Sequence, residues 1–573
     1  MQTSRVVVAC ALAALYAGLA RTDCLGARTI LDLQPFKRST SIAIDASGAR
    51  GTATLLNLNP RINTWYVLAL DWDGADGREY FHLENPAPLH QTVHLDRDTG
   101  RGLVLRTDRG EIACELWSTR AKAPLEQAHS LASSYAPLCD GRLYLRNPSV
   151  GYRTARELVT EFLRDHVWGG EAIIDIVKQT VQRDAYLERS KDRPKAGAPA
   201  SAPRGPLPAS LEPGQEGART LPANLGLELE LPSDGGFAFG QWYPAKVAPE
   251  VYVSAIEPGI VSSELLGSYR DRVKPLDSVE SQALVYVAAF DLAKVRLGYE
   301  VGTEHPRVDW SDRVLPQMRD LGMPGPDGFD AIAPLVATGT VSPIHVSRTV
   351  ATFTGGFKRE HGAFRSGPLA LVNHGSHYGW IEYGVVFSTL EPGLATLVVR
   401  DSGRIDMATW RGGDASELVG IEHARQSGVP IIEPDPIAGT PIPGKWVGNW
   451  SVGNWSGSVT GEERTVRSGI CLQETPAGRY LLYAWFSSVT PSAMARVFQA
   501  YRCSYAMQLD MNALEHTYLA LYSYDGDTVR AQHLVRGMEE VDRKVDGRAV
   551  PRFVGYPDNR DFFYVLRRQE DEP

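Results

Sequence analysis

The chain has 573 residues and a net charge of −9 from 59 basic and 68 acidic side chains, so it is too long for one ordinary core and is read as several compact units. Hydrophobic residues make up 43% and charged residues 22%, which excludes a wholly disordered or collagen-like chain. A small negative balance spread over this length supplies no positive field to condense on a phosphate backbone, so nucleic acid is not an expected partner.

Arg5 precedes an apolar run from Val6 to Ala20, with Gly18 and Ala20 as small residues near its end; this is the pattern of a cleaved export signal over 1–20. A membrane anchor is the competing reading, but about 15 apolar residues fall short of the roughly 20 that cross a bilayer. No stable membrane span is therefore expected after cleavage, and the protein is placed in the periplasm or outside the cell. Export permits disulfides. Once Cys10 leaves with the signal, Cys24, Cys114, Cys139, Cys471 and Cys503 remain. Cys114 with Cys139 and Cys471 with Cys503 are the natural pairs, leaving Cys24 single, against the alternative of free buried thiols.

From 24 to 150 the text is short β-rich runs, such as Ser41 to Ile44 and Trp65 to Leu70, broken by Gly, Asn and Asp clusters, which predicts a β-rich accessory domain. A helical pair is predicted over 151–189. Thr154 with Glu157 three residues on is a capping-box signature, and a second helix carries Ile173, Ile176, Val177 and Val181 near one face. Residues 190–224 are dominated by Pro, Ala and Gly and read as a linker. A catalytic domain is expected over 225–573.

Within that last region, strands from Ile470 to Glu474 and from Arg479 to Phe486 flank a turn at Ala477 and Gly478. Thr490 as N-cap and Pro491 at the first helical position then open a helix carrying Met494, Val497, Phe498 and Tyr501. A buried strand from Ser504 to Leu509 follows and places Asp510 where the strand gives way to a loop, a common location for chemistry.

Thr354-Gly355-Gly356-Phe357-Lys358, Arg467-Ser468-Gly469-Ile470 and Ala506-Met507-Gln508-Leu509-Asp510-Met511-Asn512 occur in that order, with Arg425-Gln426 before Val429 to Ile432 and Arg560-Asp561-Phe562-Phe563 near the end. Over roughly Leu227 to Arg568 the chain resembles the phosphodiester glycosidase family, in a bacterial branch. It departs from that pattern at Thr354, where the family usually has Asn, and after Leu509-Asp510, where many members have glycines. The resemblance implies an α+β fold, a mixed-sheet catalytic domain behind the β-rich domain and helical pair, and an exported hydrolase acting on a carbohydrate or sugar-phosphate diester. The alternative function is a non-catalytic envelope or polysaccharide-binding protein on the same fold.

Cleaving a sugar from a phosphodiester needs donors on the phosphate and a carboxylate near the anomeric carbon, with little acid assistance because phosphate leaves readily. Asp510 is the candidate carboxylate, as general base or as nucleophile, with Asn512 on a sugar hydroxyl. Arg467 and Arg425 are the candidate phosphate forks. Gly355 and Gly356 would let backbone N–H groups approach an anion, and Thr354, Lys358, Ser468 and His361 complete the substrate-binding set. His361, His374 and His377 match no zinc spacing and read as loop histidines, so no metal is expected; no cofactor is assigned. The near-repeat around Trp450 and Trp455 reads as a hairpin in preference to a sugar-gripping loop, and Asn449 and Asn454 are formal glycosylation sequons.

Overall fold

The computed structural model describes residues 29–46, 49–117, 123–166, 184–190, 205–220, 223–232, 237–267, 269, 271–312, 314–362, 364, 379–448, 464–526 and 528–569. The export signal, Cys24, the second predicted helix, His374, His377 and the segment with Trp450, Trp455, Asn449 and Asn454 lie outside the described residues.

The sheets correct the expected fold class. Among the described residues the protein is mostly β, with sheets of eight, six, five, five, three, two and two strands, and every ladder between two strands is antiparallel. It is not an α+β mixed sheet. That expectation rested on the resemblance, and the local sequence offered no correction to it, because Val285–Asp291 and nearly all of Thr465–Thr475 are buried along their whole length. A strand covered on both faces loses the alternation that marks an antiparallel sheet and reads as a parallel-sheet core. Of the expected helical pair, one helix, Ala155–His166, is described.

The eight-stranded sheet carries the hairpin Thr465–Thr475 and Gly478–Val489. The helix Pro491–Ala500 then crosses back, so that Cys503–Met511 joins the opposite side of Thr465–Thr475. This helix is almost entirely buried, with Met494, Val497 and Phe498 in the core, as its sequence periodicity predicts. One five-stranded sheet contains Thr349–Thr354, paired on one side with Phe562–Arg567 and on the other with Leu519–Asp525. The second contains Ile421–Gln426 between Trp380–Glu382 and Ala395–Arg400.

The amino-terminal six-stranded sheet shares its packing with this body. Along Trp65–Trp72, Trp65 and Val67 join the main core, whereas Tyr66, Leu68 and Leu70 face a second core with Leu103, Leu105 and Leu145. The period of two thus serves two cores at once. In the Pro/Ala/Gly stretch, Ala209 N–H bonds Gly240 O, Ser210 N–H bonds Ala500 O, and Leu211 bridges Val261.

Both expected disulfides form, Cys114–Cys139 and Cys471–Cys503, with Cα separations of 5.5 and 5.8 Å. They fit an exported protein. No helix among the described residues is long and apolar enough to cross a membrane. Cys471–Cys503 closes a span of 32 residues, for which the chain-entropy relation gives about 3–4 kcal/mol. The double variant Cys471→Ser/Cys503→Ser is therefore expected to unfold at a clearly lower temperature in calorimetry.

Candidate active site

Asp510 is the penultimate residue of Cys503–Met511, so it sits inside the strand and not in the loop beyond it. It is 5% exposed. Its Oδ1 accepts the N–H of Met511 at 2.8 Å and its Oδ2 accepts Arg560 Nη1 at 2.6 Å. Burial pushes the Asp510 carboxyl up, Arg560 and the Met511 N–H pull it back, Asp561 raises it, and the result is about 6. This carboxyl therefore titrates close to neutrality.

Arg560 is the hub. Beside its bond to Asp510, its Nε donates to Glu157 Oε1 at 3.2 Å and its Nη2 lies 2.7 Å from His516 Nε2. The His516 tautomer follows from its partners. Nδ1 is 2.8 Å from Met511 O, which can only accept, so Nδ1 carries the proton and Nε2 accepts from Arg560. Burial, with the Arg560 charge added, lowers the His516 pKa well below the usual range and keeps the ring neutral.

Arg560 and Asp561 are neighbours, and Asp561 serves a second cluster. Arg425 Nε donates to Asp561 Oδ2 at 2.6 Å, the Tyr299 hydroxyl donates to the same oxygen at 3.0 Å, and His305 Nδ1 lies 2.8 Å from Oδ1. Burial opposes ionisation of Asp561, but Arg425 and His305 outweigh it and hold the carboxyl well below its ordinary value. Arg425 Nη2 also donates to Phe357 O at 2.7 Å.

The Gly355-Gly356 pair packs onto this cluster. Gly355 N–H bonds Asp561 O at 2.8 Å. A Cβ at Gly355 would lie 2.2 Å from Asp561 Oδ2, and Gly356 has φ +143°, which L side chains rarely adopt. Gly355→Ala is expected to displace Asp561 from Arg425 at an overpacking cost of about 1–3 kcal/mol, read as a lower melting temperature.

The remaining residues surround these two clusters. Thr354 Oγ1 donates to His516 O at 2.7 Å and so fixes the backbone of the His516 loop. Ser468 Oγ donates to Asp510 O at 3.1 Å. Asn512 follows Asp510 with φ +80° and accepts from Thr465 Oγ1. Arg467 is fully buried and bonds Val489 O, Gln508 Oε1 and Met511 Sδ. Lys358 Nζ bonds Glu304 Oε2 at 3.2 Å, and Glu304 also takes Arg153. His361 lies in the short helical turn Arg359–Gly362 and donates its backbone N–H to Lys358 O. Asp510, Ser468 and Asn512 thus share one strand junction, Gly355, Gly356 and Arg425 share the Asp561 cluster, and Lys358 joins a third group.

In the sequence Arg560 stands only in a short motif string and Glu157 only in a capping box, and His516, His305 and Tyr299 carry no local signal of their place in these clusters. Glu157 lies 403 positions from Arg560, and no local pattern reports such a meeting. No group of three or more His, Cys, Asp or Glu side chains suited to a metal ion occurs among the described residues.

The fold and this centre define a predominantly antiparallel β protein with a buried carboxylate–guanidinium–imidazole cluster at a strand end. No protein-family model and no curated protein sequence matches the chain. Among solved structures it is similar to the catalytic domain of zebrafish N-acetylglucosamine-1-phosphodiester alpha-N-acetylglucosaminidase, with TM-score 0.29 and 8% identity over 56% of this chain and 85% of that one. A hypothetical protein from Synechocystis gives TM-score 0.27 and 10% identity over 92% and 97%. A Burkholderia pseudomallei protein described as exported gives 0.20 and 10% over 49% and 74%. These likenesses are too distant to carry an argument.

Proposed function

We propose that the protein is an exported hydrolase that cleaves a glycosyl phosphodiester, with Asp510 as the reactive carboxylate. The observation that carries the reading is the state of Asp510: a nearly buried carboxyl brought to about 6, anchored by one cation, at the position where the sequence resembles the phosphodiester glycosidase motif. Such a group is largely ionised at neutral pH yet retains basicity, which suits a general base that activates water or a nucleophile that attacks the anomeric carbon. Phosphate is a good leaving group, so a strong acid beside it is unnecessary. Arg467, Arg425, Gly355, Gly356, Lys358, Thr354, Ser468, Asn512 and His361 form the proposed substrate side. Cell-envelope or extracellular polysaccharide is the proposed source of the substrate.

A specific observation favours the second reading, a non-catalytic envelope or polysaccharide-binding protein. The guanidinium groups nearest Asp510 and the glycine pair already hold protein partners: Arg560 binds Asp510, Glu157 and His516, and Arg425 binds Asp561 and Phe357 O. Release of free sugar from a panel of sugar-1-phosphate diesters by the full mature chain separates the two. Turnover supports the hydrolase; a folded chain with none on any diester, yet retained by an immobilised polysaccharide, replaces it with the binder. The full chain is required because the amino-terminal sheet and Glu157 are packed into the body that holds Asp510.

A further inference from the structure

We propose that Glu157, on the helix that leaves the amino-terminal region, is a positioning residue for Asp510: it holds Arg560 at Nε and shares the guanidinium's charge, so that the cation does not act on the Asp510 carboxylate alone. The proposal rests on the reading of Asp510 as the reactive group.

The geometry gives Arg560 three partners on three nitrogens, Glu157 at Nε, Asp510 at Nη1 and His516 at Nη2. A guanidinium binds a carboxylate most strongly through two parallel N–H bonds. From the Asp510 side that fork would use Nη1 and Nη2, and His516 holds Nη2, so Asp510 has one bond, while Glu157 at Nε competes for the same positive charge. If its charge were removed, the guanidinium would act on Asp510 as its one anionic partner. Asp510 would then be held more firmly in its ionised form, with less basicity to offer a reactant.

Glu157 is itself held at both oxygens. Oε1 takes Arg560, while Oε2 accepts the N–H of Thr154 at 2.9 Å; Thr154 Oγ1 in turn accepts the N–H of Glu157 at 3.2 Å, completing the capping box. The chain leading into it is seated on the same strand entrance. Tyr152 forms a parallel bridge with Asp558 and bonds Pro557 O at 2.9 Å. A Cβ on Gly151 would fall 2.4 Å from Asn559 N, so this approach leaves no room for a side chain. Arg153 bonds Glu304, the partner of Lys358. Segment 151–157 is therefore built against the centre.

The charged groups around Asp510 give the sign of the effect. Arg560, neutral His516 and ionised Glu157 form its own cluster; Asp561 with Arg425 and Asp558 with Arg552 are self-paired neighbours, and the Tyr483 hydroxyl faces it from Gly478–Val489. Burial opposes the charge on Glu157, but Arg560 first and Arg552 after it outweigh burial and keep the carboxyl ionised. Two carboxylates thus share one guanidinium, and removing one strengthens the hold on the other.

The test compares wild type, Glu157→Gln, Thr154→Ala and Asp510→Asn as full chains. Two readouts are taken: carboxyl ¹³C titration of labelled Asp, with the Asp510 signal assigned by its loss in Asp510→Asn, and the acidic limb of the rate on the best diester. Glu157→Gln is expected to move the Asp510 midpoint and the rate limb together to lower pH, by about one unit. Thr154→Ala weakens the same helix start but keeps the Glu157–Arg560 bond, and both readouts are expected to stay in place. An unmoved midpoint in Glu157→Gln, or equal shifts in both variants, overturns the role of Glu157 even if Asp510→Asn abolishes turnover. A moved midpoint without a moved rate limb overturns the assignment of Asp510 itself, and the positioning role with it.

Discussion

Replacing Asp510 with Asn is expected to lower turnover of a glycosyl phosphodiester by about 10²–10⁴-fold, the usual contribution of a positioned acid–base group, while the fold survives. Asn matches the shape of Asp, its side-chain oxygen can still accept from Arg560, and Arg560 keeps the Glu157 anion as its counter-charge. In wild type the rate should rise through an acidic limb near pH 6, where Asp510 loses its proton. Stability should move the opposite way. The folded-state value lies above the ordinary 3.8, so the stability this group contributes is fully present below about 3.8 and is lost as pH rises through about 6. At pH 8 Asp510→Asn should therefore gain on wild type relative to pH 4, by up to about 3 kcal/mol for a shift of this size. Initial rates and melting temperatures across pH 4 to 8 check both signs.

Arg146→Met is expected to cost about 3–5 kcal/mol, the range for stranding buried charge. Arg146, Glu84, Glu300 and Glu382 each end a strand, two in the amino-terminal sheet and one in each five-stranded sheet. Their side chains are at most 2% exposed. Arg146 Nη1 donates to Glu84 Oε2 at 2.9 Å, Nη2 donates to Glu300 Oε1 at 3.3 Å, and the guanidinium carbon lies 4.1 Å from the Trp65 ring centroid.

One cation cannot balance three ionised carboxylates here. Burial, reinforced by the Glu300 charge, pushes Glu382 well above the usual range, so Glu382 keeps its proton. Glu382→Gln should consequently stay within about 1 kcal/mol of wild type, since the amide replaces a neutral acid of similar shape. The raised value again fixes the sign: this stabilisation is present below about 4.3 and declines as pH rises through the folded-state value. The melting temperature of Glu382→Gln should thus improve relative to wild type with increasing pH. Denaturant midpoints of the two variants, with Arg146→Met far below both others, test the network.

Local chemistry was legible from the text. The turn before Arg479, the helix opened by Pro491 and the capping box at Thr154 and Glu157 each depend on residues a few positions apart, and each appears where the sequence places it. Both cysteine pairings were legible for the same reason, because each pair lies within one compact stretch. The sheet type was not. Strands such as Val285–Asp291 are covered on both faces, and hydrophobic content alone does not tell which direction a neighbouring strand runs.

The sequence by itself determined the helix opened by Pro491, the capping box at Thr154 and Glu157 and which cysteines pair, since capping and periodicity act over a few residues. Only the tertiary structure decided that Arg560 is the cation beside Asp510, that Arg425 answers Asp561, and that a capping glutamate from the amino-terminal region reaches the same guanidinium. Such pairings join residues as much as 403 positions apart. They arise because a buried charge must find a partner wherever the packed sheets bring one, and no spacing along the chain encodes that meeting.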